Sequence, residues 1–86
     1  MKDIERFINS SIDEFDRTIV YTKTADLTSR RDFATRSIDA IYDRAFGSLL
    51  YMKCWACELT ETEYKKLSDK LIAAKFTALK TAWEIF

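Results

Sequence analysis

Eighty-six residues carry fourteen acidic and fourteen basic side chains, no histidine, no proline and a single glycine. Balanced charge leaves no bulk field to draw the chain to nucleic acid or anionic lipid, and a charged fraction of 33 % is too high for a membrane-embedded protein. Hairpin turns and glycine-rich phosphate loops both need more glycine than this, so the composition points to an all-α chain.

The length suits one helical domain over residues 1–86, near the size at which a single core suffices without staples. The opening Met1-Lys2-Asp3-Ile4-Glu5-Arg6 has no apolar signal core, and no apolar run approaches the ~18 residues of a membrane span. Cytoplasmic residence with no membrane association is therefore expected. No repeat or linker interrupts the chain.

The first predicted helix covers about residues 3–20. Ile4, Phe7, Ile8, Ile12, Phe15 and Ile19 recur every three or four positions and draw one apolar stripe. Asp3 and Glu5 fall in the first turn, where the helix dipole favours negative charge. Residues 21–27 lose the period and carry weak helix formers, so they read as a connection.

The second helix is expected over about 29–57, opened by Ser29-Arg30-Arg31-Asp32, a variant of the capping box with Asp at its fourth position. Asp32, Arg36, Asp39 and Asp43 mark its outer face, and Ala34, Ile38, Ile41, Tyr42 and Ala45 its inner one. Continued past residue 46, the outer stripe becomes Gly47, Leu50, Cys54 and Cys57. The solvent face of one helix thus turns apolar halfway along, and a helix apolar all round has to be covered on every side. Gly47 is the only candidate interruption. Mid-helix glycine costs ~1 kcal/mol against alanine, so it implies close approach of another backbone or, failing that, a break at Gly47-Ser48 that would give four shorter helices.

The third helix, about 60–86, opens on Thr60-Glu61-Thr62-Glu63, a full capping box. Its core stripe is Tyr64, Leu67, Leu71, Ala74, Ala78, Ala82 and Ile85. A second stripe, Ile72, Phe76, Leu79, Trp83 and Phe86, lies one residue further round.

Short connections make three such helices an antiparallel bundle with a long central member. In that register Trp55 should face Tyr64 and Met52 should face Leu67, while Ile4 reaches only Ala45. The first helix, ~27 Å long, would then be too short to cover the second beyond residue 46. Three arrangements would bury what remains. A second copy could pack isologously, a break at Gly47 could fold the segment back, or another protein or an apolar ligand could occupy the groove. The homodimer is the favoured expectation, with Gly47, Leu50, Tyr51, Cys54 and Trp55 at the contact.

Chemistry is sparse. Cys54-Trp55-Ala56-Cys57 is a C-x-x-C, but at the end of a helix the dipole opposes a thiolate, unlike the helix starts that activate redox cysteines. A zinc site needs four ligands, and only a dimer could pool two cysteine pairs. Two small buried hydrophobes is the simpler expectation for Cys54 and Cys57. Without histidine there is no Ser-His or Cys-His pair, and Glu58, Glu61 and Glu63 are explained by capping. No catalytic residue and no cofactor are expected.

The functional expectation is a small non-enzymatic interaction or adaptor module, acting on itself and on another protein. Its size and composition would also suit a phage or mobile element. The alternative is a dimeric nucleic-acid-binding regulator. Arg30 and Arg31 sit at a helix start, where the dipole disfavours cations, and with Arg36, Arg17 and Lys23 they would make a corner able to contact phosphates. The lysine row Lys66, Lys70 and Lys80 is a second, sparser candidate.

Overall fold

The computed structural model describes residues 3–86; Met1 and Lys2, part of the expected domain start, lie outside the described residues. Three helices, α1 (Asp3–Thr24), α2 (Arg30–Cys54) and α3 (Glu61–Ile85), form an all-α bundle with no strand among the described residues. It is a rod of 43 × 19 × 17 Å. Its long axis is set by helices of 25 residues, each ~37 Å at 1.5 Å per residue.

The core runs the length of that rod. Ile4, Ile8, Phe15 and Ile19 of α1 meet Ala34, Ile38, Ala45 and Leu49 of α2 and Leu67, Leu71, Ala78 and Ala82 of α3, with Leu59 closing the second turn. Ala34 and Ala45 of α2 and Ala78 and Ala82 of α3 are the small residues of this core. Two polar residues complete the α1 stripe. Ser11 and Thr22 are buried, and their hydroxyls donate to the carbonyls of Phe7 (2.9 Å) and Thr18 (2.7 Å), one turn back. A buried hydroxyl satisfied within its own helix adds no desolvation penalty.

That device explains why α1 is four residues longer than its periodicity suggests. The segment Tyr21–Thr24 is poor in helix formers, but Thr22 is an inward residue with its polar atom satisfied. Tyr21 also packs on Phe33, ring centroids 5.8 Å apart. The extra turn carries α1 further along α2 than expected. Ile4 and Phe7 share a groove with Gly47, Tyr51 and Met52, and Leu49 is fully buried. The segment after residue 46 is therefore covered on its inner side.

Helix α2 passes through Gly47 without a break. A Cβ added there would meet nothing within 4 Å, so among the described residues no backbone makes the close approach that glycine was expected to serve. The helix also ends earlier than expected, at Cys54. Ser29 takes the N-cap backbone conformation, but its side chain makes no cap hydrogen bond, and Asp32 pairs with Arg36 at 3.2 Å instead. The box at α3 does form: Thr60 Oγ1 accepts from the Glu63 N–H (3.1 Å), and the Thr60 N–H donates to Glu63 Oε1 (3.0 Å).

Contacts at both ends fix the register. Arg31 at the start of α2 reaches Trp83 near the end of α3, and Lys53 at the end of α2 reaches Glu61 at the start of α3, 2.8 Å away. Midway, Lys75 meets Asp39 at 3.5 Å and covers the Tyr42 ring at 4.1 Å. These pairs are offset by about a helical turn from the expected register, because α2 stops at Cys54. Trp55 consequently does not face Tyr64. It projects from the helix end and is 80 % exposed. Ile85 is exposed as well, outside the stripe it was expected to extend.

Candidate interaction surface

The outward end of α2 is built from a helix that stops without glycine. The Tyr51 carbonyl accepts from the N–H groups of both Trp55 (2.9 Å) and Ala56 (3.0 Å), which widens the last turn. Cys57 then takes a left-handed conformation, φ 54°, and turns the chain so that the Glu58 N–H donates to the Met52 carbonyl at 2.9 Å. Helices commonly end this way, but glycine normally fills the left-handed position because any Cβ crowds the following carbonyl. Among the described residues, Cys57 is the only non-glycine with positive φ.

Around this terminus Gly47, Leu50, Tyr51, Cys54 and Trp55 all lie exposed. Spacings of three, four and seven put Gly47, Leu50, Tyr51 and Cys54 on one face, and Trp55 follows at the cap. Tyr51 is 59 % exposed and Leu50 40 %. Both cysteines are free and exposed, which corrects the expectation that they pack as buried hydrophobes. Cys54 lies on the outward face of α2 with Gly47 and Leu50, and Cys57 follows beyond the helix end, so no part of the bundle covers either thiol.

Two features border this face. On the α1 side a groove of about 570 Å³ is lined by Ile4, Phe7, Gly47, Tyr51 and Met52, with Asp3, Asp43 and Arg44 at its rim. On the α3 side Lys53 is held between Glu61 and the Tyr64 ring, its Nζ 4.3 Å from the ring centroid. The hydrogen bond that Lys53 donates to the Glu61 carboxylate keeps this ammonium above the usual lysine range, against a smaller opposing effect of burial. Salt bridge and cation–π contact together fix the base of the surface.

Three arginines of the expected basic corner are engaged by oxygens of the same chain. Arg30 donates through Nε to the Thr22 carbonyl and through an Nη to the Ala25 carbonyl, both at 3.1 Å. Arg31 donates to the Trp83 carbonyl at 2.9 Å, and Arg36 is engaged by Asp32. Arg30 and Arg31 thus hold carbonyls at the C-terminal ends of α1 and α3. A cation is favourable there, which explains two arginines at a helix start that would repel them. In the lysine row, Lys70 bonds Asn9 and Lys80 lies 3.9 Å from Glu84.

Asp39 is paired with Lys75 and Glu63 belongs to the capping box. No group of three or more cysteine or carboxylate side chains that could hold a metal occurs among the described residues of one chain. No helix among them is long and apolar enough to cross a membrane.

Periodicity did not reveal the left-handed Cys57 or the contribution of Ile4, Phe7 and Met52 to the groove. Both follow from where helices end, and neither has a strong local signal. Comparison of the chain with protein families, curated proteins and solved structures finds no match.

Proposed function

We propose that the chain is a small non-enzymatic interaction module that pairs with a second copy through Gly47, Leu50, Tyr51, Cys54 and Trp55, and engages another protein through the same end of the bundle. The observation that supports this reading is the exposure of Trp55, at 80 %, beside Tyr51 and Leu50. Fully burying side chains of this kind gains ~1.5–3 kcal/mol each, and aromatic residues supply area together with a polar group for the rim. The absence of histidine from the chain supports the non-enzymatic part, and free, exposed thiols suit the reducing conditions of the cytoplasm.

The size of the stripe sets the expected strength. Aromatic side chains bury ~150–250 Å² each, so at these exposures the stripe offers roughly 400 Å² per chain. Two copies would bury about 800 Å², in the range of weak and transient contacts. The expected dimer is micromolar. The nucleic-acid reading has less support, because Arg30, Arg31 and Arg36 already hold protein oxygens.

Leu50→Glu tests the proposal. A charge placed in the contact should weaken association at least tenfold by light scattering, while helix content stays unchanged because Leu50 is outward. A wild type that remains monomeric at high micromolar concentration excludes the self-pairing. A dimer unaffected by Leu50→Glu moves the contact to another face, where Phe76 and Trp83 on α3 are the largest exposed alternatives.

A further inference from the structure

We propose that Cys54 and Cys57 form half of a zinc site, completed by the same two cysteines of a second copy, with one Zn²⁺ bound per two chains. This inference rests on the self-pairing proposed above and names what the contact would hold.

Three observations converge on the cysteine pair. Cysteine is among the most frequently buried residue types, yet both thiols here are free and exposed; Cys54 belongs to the proposed contact, and Cys57 follows three residues on. Their C-x₂-C spacing is that of structural zinc pairs, in which two sulfurs on one tight turn bind one ion. The turn itself is unusual, because Cys57 holds a left-handed conformation that glycine would adopt without strain.

The chain alone cannot close the site. Zinc in a structural site takes four ligands in a tetrahedron. There is no histidine, and no third cysteine or carboxylate joins the pair among the described residues. Across a two-fold axis each chain contributes two sulfurs, so the set closes at four with no residue left over. Cys54 stands one turn beyond Leu50 and Tyr51, so the same axis brings those apolar side chains around the sulfurs. A two-copy contact of roughly 800 Å² is weak by its area, and four metal–sulfur bonds across it would make it tight. On binding, four S–H groups release their protons to solvent as four Zn–S bonds form. No group is oxidised or reduced.

The test uses the full chain, reduced and stripped of metal with a chelator, then titrated separately with Zn²⁺ and Co²⁺. The expected result is saturation at one metal per two chains. Co²⁺ should give the thiolate-to-cobalt charge-transfer and intense visible bands of a tetrahedral sulfur site, and light scattering should show at least a tenfold tighter dimer with Zn²⁺ than with chelator. Cys54→Ser and Cys57→Ser should each abolish the cobalt bands while keeping wild-type helix content. Saturation at one metal per monomeric chain overturns the proposal, and so does absence of metal uptake. A dimer that forms equally with chelator and in both serine variants overturns the zinc site but leaves the self-pairing standing. A Leu50→Glu chain that still binds one Zn²⁺ per two chains upholds the site and shows that the metal, not the apolar stripe, joins the copies.

Discussion

The guanidinium of Arg31 lies over the indole of Trp83, with Cζ 4.3 Å from the ring centroid, and donates at 2.9 Å to the carbonyl of that same residue. One side chain thereby binds both the ring and the backbone of a residue 52 positions away, tying the start of α2 to the end of α3. A cation–π contact at a partly exposed site contributes ~0.5–1 kcal/mol, and a charged hydrogen bond ~1.5–3 kcal/mol. Arg31→Ala should therefore lower unfolding free energy by about 2 kcal/mol in urea titrations. Lysine lacks the planar fork that serves ring and carbonyl together, so Arg31→Lys should recover less than half of that loss.

Thr60 and Ser29 occupy the same position at two helix starts, but only Thr60 makes its cap. Replacing a working N-cap with alanine costs ~0.5–2 kcal/mol. Thr60→Ala should be destabilising by about 1 kcal/mol and Ser29→Ala close to neutral. At this chain length 1 kcal/mol corresponds to about 4–8 °C in melting temperature, which calorimetry resolves. Equal effects at the two sites would contradict the observed caps.

Thr35 Oγ1 is buried without a hydrogen-bond partner. Leaving such a group unsatisfied costs ~1–3 kcal/mol, and replacing it with an apolar group of the same shape removes that penalty. Thr35→Val conserves shape and β-branching, so it should raise the melting temperature by several degrees. A lower melting temperature would show that the hydroxyl is satisfied in solution.

Gly47 separates folding from self-pairing. With nothing within 4 Å of an added Cβ and helical backbone on both sides, Gly47→Ala should stabilise the single chain by ~0.5–1 kcal/mol. In a dimer whose backbones meet at this point, the added methyl would hold them apart. The expected outcome is a higher melting temperature in dilute solution and a weaker dimer by sedimentation. A gain in both would place the close contact elsewhere.

The all-α class, three helices and most of the core were legible in the sequence, because amphipathic periodicity is a local property that burial then obeys. Ile8, Phe15, Ile38, Leu71, Ala78 and Ala82 are inward as their spacing requires, and the Thr60 box formed because both its partners lie within one turn. The exposure of Leu50, Tyr51 and Trp55 was legible in part, as a charged stripe turning apolar. Helix ends were not. The extension of α1 to Thr24 depends on Thr22 bonding within its own helix, and on Arg30 reaching back from the next helix to the carbonyls of Thr22 and Ala25. The stop of α2 at Cys54 depends on Cys57 accepting a left-handed backbone. Two roles also waited on tertiary structure. Arg30 and Arg31 read as free cations in a linear sequence, and only the packing of three helices brings carbonyl groups to them. Cys54 and Cys57 continue the outer stripe in sequence, and tertiary structure shows that nothing among the described residues of the same chain covers them. Periodicity records which face of a helix is apolar, whereas a terminus is decided by hydrogen-bond partners that arrive from elsewhere in the chain.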